Sequence, residues 1–234
     1  MPPLRRSLRA ESLHMSLGGS PPERAARCHR DVFVNCPFDD KYLALLRPLL
    51  FTIVYLGYHP RIASERSDSG ENRLDKICEL IRQSKFSIHD LSRLKAARAR
   101  ELYRMNMPFE LGIDYGSRQH GPEFMRGKKC LILEKEAYDF KAALSDMSGV
   151  DIKSHRNKPE EVVRAVRDWF YETVGLRDAP YPKVIWFLFN DFTTSLFEAR
   201  LAEGIPENDV KEDIARMPIP EYLNCAAAWV AKHA

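Results

Sequence analysis

The chain has no apolar run long enough to cross a bilayer. Its longest, near residues 45–57, is interrupted by Arg47 and Pro48, whereas a spanning helix needs about 20 apolar residues in succession. No membrane segment is therefore expected. Metal-ligand spacing is missing too: the five cysteines, at 28, 36, 78, 130 and 225, form no C-x-x-C pair and no zinc-like pattern with the seven histidines. Scattered, odd-numbered thiols fit a reducing cytoplasm, so the expectations are a cytoplasmic location, no metal and no structural disulfide. There is no internal repeat and no low-complexity segment.

A charge surplus is also missing once the chain is divided. Residues 1–30 carry arginines 5, 6, 9, 24, 27 and 30 against Glu11 and Glu23, without the continuous apolar core of a secretion signal. They read as a flexible basic tail. Subtracting the tail's six and two from the totals of 36 and 33 leaves 30 basic and 31 acidic residues for 31–234. The overall +3 is thus a property of the tail, and non-specific nucleic-acid binding by the folded body is not expected. One local exception is Arg93, Lys95, Arg98, Arg100 and Arg104 with only Glu101 against them. Such a run is either a solvated helix face or a basic rim that draws in a phosphorylated ligand.

What is present suits a globular protein: 44% hydrophobic and 29% charged residues in 234, enough for one core or one core plus an appendage. The run Asp31 to Asn35 is a first strand, and its loop continues Cys36-Pro37-Phe38-Asp39-Asp40. Asn35 is either a ligand contact through its amide or, with Asp39, a cap for the next helix. Cys36 reads as a small packing residue rather than a nucleophile. Helical spacing of Leu43, Leu46, Leu50, Ile53 and Val54 follows, with Pro48 inside it. Pro60 to Ser64 is a second strand. A polar loop with Glu65 and Asp68, a candidate lid, precedes a helix on which Leu74, Ile77, Cys78 and Ile81 share a face. Arg73 opens that helix, as a surface residue or as a contact for phosphate or carboxylate.

The stretch from Lys85 to Gly116 holds the chemistry. Phe86, Ile88 and Leu91 mark a short buried strand that ends at Asp90; His89 alternates to the opposite face. Beyond the basic insert, Pro108 stands where a first helical turn accepts proline. That placement makes Glu110 a first-turn carboxylate, its ionised form favoured by the helix dipole. Phe109, Gly112, Ile113 and Gly116 recur at helical spacing, so the expectation is a buried, glycine-bearing face in close approach to a neighbour. Asp114, one turn on from Glu110, shares its face or is exposed.

Residues 129–133 supply a fourth strand, 150–152 an edge strand, and 160–174 an amphipathic helix through Val163, Val166, Trp169 and Phe170. This alternation predicts an α/β fold of three layers, a flavodoxin-like parallel sheet of about five strands with helices on both faces. After Pro180-Tyr181-Pro182, aromatic helical patterning (Trp186, Phe189, Phe192, Phe197) and a polar hinge at 204–206 predict a C-terminal helical appendage that packs on the core or on a partner subunit. The division expected is a tail over 1–30, an α/β domain over 31–178 and the appendage over 179–234.

A strand ending in Asp-Leu-Ser (90–92), a loop Cys-Pro-Phe (36–38) after the first strand, and Asn-Met-Pro-Phe-Glu-Leu-Gly (106–112) opening a helix resemble the nucleoside 2-deoxyribosyltransferase family and the related TIR-type NAD-cleaving domains. The resemblance covers roughly residues 31–135 and departs from the pattern in the basic insert. It implies that Glu110 is the catalytic carboxylate and Asp90 the acid that positions the sugar. The candidate substrate contacts are Asn35, Cys36, Phe38, Arg73, Ser92, Asn106 and Met107. The implied activity is cleavage of the N-glycosidic bond of NAD or a related nucleotide, as in bacterial anti-phage defence effectors. NAD is then the substrate, with no cofactor and no metal, and self-assembly or a partner protein engages the C-terminal helices. Two alternatives stay open: a deoxyribosyltransferase, in which a second base resolves the intermediate, and a nucleotide-sensing or protein-interaction module without turnover.

Overall fold

A computed structural model describes residues 29–93, 105–142, 144–147 and 149–233. The basic tail up to residue 28 and the insert residues Lys95, Arg98, Arg100 and Arg104 lie outside the described residues. The elements run β1 (Asp31–Asn35), α1 (Leu43–Tyr55), β2 (His59–Ile62), α2 (Arg73–Gln83), β3 (Phe86–Asp90), α3 (Asn106–His120), a short α4 (Glu123–Arg126) and β4 (Lys129–Glu134). They continue through β5 (Lys153–Ser154), α5 (Pro159–Trp169), α6 (Pro182–Ala202), α7 (Glu207–Arg216) and α8 (Ile219–His233).

All strand pairs are parallel, in the order β2-β1-β3-β4-β5, which is the flavodoxin-like doubly wound arrangement. Alternation along each strand decides the two faces. Val32 and Val34 of β1, Phe86 and Ile88 of β3, and Leu131 and Leu133 of β4 point to one side, into a cluster with Leu46, Leu49 and Leu50 of α1 and Val163 and Val166 of α5. Phe33 points to the other side, against Ile77, Leu80 and Ile81 of α2 and Met125 of α4. Leu91 and Ile132 meet Met107 and Leu111 of α3 on that same side.

Local sequence explains the element ends. Asn72 accepts the backbone N–H groups of Leu74 and Asp75 at the start of α2, replacing partners that a first helical turn lacks. Gly57 closes α1 with φ +82°, a left-handed conformation that glycine adopts without strain. Pro48 lies only six residues into α1 and the helix continues through it.

Three expectations are corrected. First, α3 begins at Asn106, two residues before Pro108, so Glu110 belongs to its second turn and not to its first. Second, the buried face of α3 is Met107, Pro108, Glu110, Leu111 and Asp114. Phe109 is 58% exposed, and a Cβ at Gly112 or Gly116 would meet nothing within 4 Å. The apolar periodicity was misleading because two carboxylates, not two glycines, turn inward. Third, the edge strand is Lys153–Ser154 rather than 150–152, and residues 139–147 hold two 3-10 turns.

The C-terminal helices pack on the core. Ile185 and Phe192 of α6, Met217 after α7, and Tyr222 and Ala226 of α8 join the same cluster as α1 and α5. Phe51 of α1 stacks on Phe192 at 5.2 Å between centroids and meets Trp229 at 5.9 Å. Arg47 of α1 donates to the carbonyls of Ile214 and Ala215 that end α7, where a cation is electrostatically favoured. No helix among the described residues is long and apolar enough to cross a membrane.

Candidate functional site

A cleft of about 280 Å³ opens at the carboxyl ends of the strands, lined by Asn35, Cys36, Pro37, Phe38, Arg73, Asn106, Met107 and Glu110. Its walls are the end of β1 with the loop after it, the start of α2 and the first two turns of α3. In this strand order α1 and α3 leave the adjacent strands β1 and β3 toward opposite faces of the sheet, and such a switch point is where open α/β sheets bind ligands. Six of the seven residues expected to contact a substrate, with Glu110, converge here. Their separation in sequence is bridged by the crossovers alone.

Glu110 is the unusual group. It is only 6% exposed, yet its carboxylate accepts no hydrogen bond from the described residues. Burial pushes its pKa up, and the charge of Arg73 opposes that rise. The dipole-stabilised, readily ionised glutamate expected from sequence is thereby corrected: the position in the second turn and the loss of water outweigh the helix terminus. Arg73 itself is at the exposed rim, 5.6 Å over the ring of Phe38. Phe38, 43% exposed, gives the mouth an aromatic surface.

Cys36 lines the cleft but is no nucleophile. Burial holds its thiol well above the usual range, and the charges of Asp90, Glu110 and Asp39 push the same way. A thiol that stays protonated packs; it does not attack.

Asp90 ends β3 as expected but does not line the cleft, a correction to its reading as the sugar-positioning acid. Along β3, Ser87 and His89 face α3, so Asp90 faces α1 and α5. There its carboxylate is fully engaged. Tyr42 donates to Oδ2 at 2.5 Å, the Ser92 N–H to Oδ1 at 2.8 Å, the Ser92 hydroxyl also to Oδ1, and His155 Nε2 lies 3.1 Å from Oδ2. Burial and the Asp90 charge hold the Tyr42 phenol well above its ordinary pKa, so it remains a donor.

Ser92 is corrected with Asp90: it touches Asp90 and His155 and is not among the lining residues. The three resemble a nucleophilic triad only in composition. The N–H of Asn157 donates to His155 Nδ1 at 3.1 Å, which fixes the proton on Nε2. His155 is therefore a donor toward Ser92 and Asp90 and has no lone pair with which to take the serine proton. Arg93, the described member of the basic run, makes a two-pronged ion pair with Asp39 at 2.7 and 2.8 Å. Glu65 is held by Arg61 at 2.8 Å and Asp68 by the Gly70 N–H at 2.8 Å, so neither candidate lid residue reaches the cleft.

Behind Asn35 runs a second polar group that sequence reasoning did not assemble. Asn35 Nδ2 donates to Met107 O and to His89 Nδ1, each at 3.0 Å. His89 Nε2 lies 3.2 Å from Asp114 Oδ2, Ser87 donates to that oxygen at 2.6 Å, and the Lys128 ammonium pairs with Asp114 Oδ1. Asp114 is buried, and burial would raise its pKa. The His89 hydrogen bond and the Lys128 charge outweigh that effect and hold it well below the usual carboxylate range. Exposure of Asp114 is thus corrected; its spacing of four from Glu110 was the only signal, and Lys128 gave none.

His89, Asp114 and Cys130 bring ligand atoms within 4.8 Å of one another, but they do not fit a metal. Lys128 is seated on Asp114, and burial, with the Asp114 charge, pushes the Cys130 thiol up to about 12. A cation would have to displace one positive charge and strip a reluctant proton.

Comparison with protein-family models, with curated proteins and with solved structures gives no match, so what the chain resembles rests on its own motifs and on this cleft.

Proposed function

We propose that the cleft binds the ribose of a nucleotide and that Glu110 promotes cleavage of its N-glycosidic bond, with NAD or a related nucleotide as substrate. The observation that carries this reading is the buried carboxylate of Glu110, without a hydrogen-bond donor among the described residues, in a cleft at the sheet's switch point. A carboxylate largely withdrawn from solvent and without a donor from the described residues is a poor ground state. It gains most when positive charge develops beside it, as it does at an anomeric carbon losing its base.

The bond between C1′ and the nicotinamide nitrogen breaks, and its electron pair leaves with the ring, which becomes neutral. Glu110 stabilises the cationic sugar or captures it as an ester. Water then adds at C1′, in the ester case with cleavage of the C1′–O bond that releases Glu110 as carboxylate, and gives up its proton to solvent or to that carboxylate. The volume of about 280 Å³ is at the small end of ligand sites and suits a ribose with its base. Arg73 at the rim is placed for the phosphates and Phe38 for an aromatic ring. A role in antiviral defence is what the resemblance adds.

One observation favours a second reading. Asp90 is withdrawn to the other face of the sheet and spent on Tyr42, Ser92 and His155, so only one acid of the expected pair is presented, which suits a nucleotide-binding module without turnover. Incubating the purified chain with NAD, and separately with deoxyribonucleosides plus a free base, distinguishes the outcomes. Release of nicotinamide that Glu110→Gln abolishes supports hydrolysis, and base exchange supports a transferase. Binding without product supports the module, and neither binding nor product overturns the proposal.

A further inference from the structure

Asn35 reaches the cleft through one side chain that has two chemically opposite ends. Which end faces a ligand decides what that ligand must offer. The carbonyl of Met107 settles the orientation first: a carbonyl only accepts, so the group 3.0 Å from it must be the Asn35 NH₂. The second amide hydrogen points to His89 Nδ1 at 3.0 Å, which requires an unprotonated Nδ1 and hence a proton on Nε2. That proton is directed at Asp114 Oδ2, 3.2 Å away. Asp114 is in turn fixed by Ser87 and by Lys128, whose ammonium also donates to Ile81 O at 2.7 Å. Asn35 Oδ1 has no partner among the described residues and is not sealed from solvent, so it is the atom left to the cleft.

We infer that His89 is a positioning residue which, anchored by Asp114 and Lys128, turns the oxygen of Asn35 into the cleft and makes its floor acceptor-only, so that ligands are selected by the hydroxyl donors they present to Asn35 and Glu110. The inference deepens the function proposed above and takes the identity of the ligand from it. Two hydroxyls of a sugar satisfy the two oxygens, one donating to each. A deoxy position leaves an acceptor without its donor once the ligand covers the cleft, and a loss of roughly tenfold or more follows. His89 touches no ligand; it acts through Asn35.

The test uses the full chain with NAD and its analogues lacking the 2′- or the 3′-hydroxyl of the nicotinamide ribose. The wild-type chain is expected to prefer NAD over at least one analogue by roughly tenfold in KM. His89→Leu is expected to lose that preference through KM, with a smaller change in kcat on NAD. His89→Gln, which again offers Asn35 an acceptor and Asp114 a donor, is expected to restore it. A His89→Leu chain that keeps the full preference, or a wild-type chain indifferent to both hydroxyls, overturns the inference. If the wild-type chain neither binds nor cleaves NAD, the proposed function falls and the histidine is judged separately by side-chain ¹⁵N NMR, which also decides the matter if His89→Leu fails to fold. A neutral His89 protonated on Nε2, with an Asn35 amide proton coupled to Nδ1, supports the acceptor-only floor; a proton on Nδ1 overturns it.

Discussion

Glu110 and Cys36 are neighbours in one cleft with opposite fates, and solvent explains both. Each loses water, so each has its charged form disfavoured and its pKa raised. For a thiol that disfavours the reactive anion further; for a carboxylate it moves ionisation to higher pH. If turnover needs ionised Glu110, activity should fall on acidification at a pH above that of an ordinary glutamate, about 4.3, as a single acidic limb in kcat/KM. A limb at or below that value would contradict the burial argument. Linkage gives a second outcome. A carboxyl whose folded pKa is raised favours the fold while protonated and burdens it once pH rises through that pKa. Glu110→Gln should therefore raise thermal stability at neutral pH, by roughly 2–4 °C for about 1 kcal/mol in a chain of this size, while removing activity. A melting curve at pH 5 should show a smaller gain than one at pH 8.

The two polar groups that flank the cleft belong to the scale of the element, because each ties β3 to neighbouring segments on one face of the sheet. Asp114 and Lys128 join α3 to the start of β4 where water is excluded. Removing one partner of such a pair leaves the other uncompensated, typically at about 3–5 kcal/mol, whereas removing both costs far less. Asp114→Asn should therefore destabilise strongly in urea titration, and Asp114→Asn with Lys128→Met should recover most of the loss; a double variant as weak as the single would show that the ion pair is not what matters. Because the folded pKa of Asp114 is depressed, its contribution is present above the ordinary carboxylate range and is lost as pH falls below about 4. At this scale sequence was readable in part. The strands β1, β3 and β4, Asp90 at a strand end and Asn35-to-Phe38 at a loop follow from apolar runs and turn residues. The inner face of α3 did not, since hydrophobic periodicity assumes that apolar residues mark the buried side, and here Glu110 and Asp114 do.

Across the whole molecule, the helices from Pro182 onward behave as part of the core. Phe192, Tyr222 and Ala226 share a cluster with α1 and α5, and without these helices Phe51 would lose its contacts with Phe192 and Trp229. A chain ending at residue 178 should expose this apolar surface and lose its cooperative melting transition. Phe192→Ala in the full chain should cost about 3–5 kcal/mol, both readable by calorimetry. An independently folded 1–178 fragment would show that the core does not need these helices. By itself the sequence determined the parallel α/β order, the helical character of the C-terminal segment and the segments that carry the cleft, because strand alternation, helical spacing and proline or glycine punctuation are local. Only the tertiary structure decided that Glu110 has no donor among the described residues while Asp90 has four, that Lys128 and His155 are the hidden counterparts of the two aspartates, and that the C-terminal helices pack on the core. Those outcomes depend on which face of β3 each residue takes and on contacts between residues up to 175 positions apart, which no local pattern encodes.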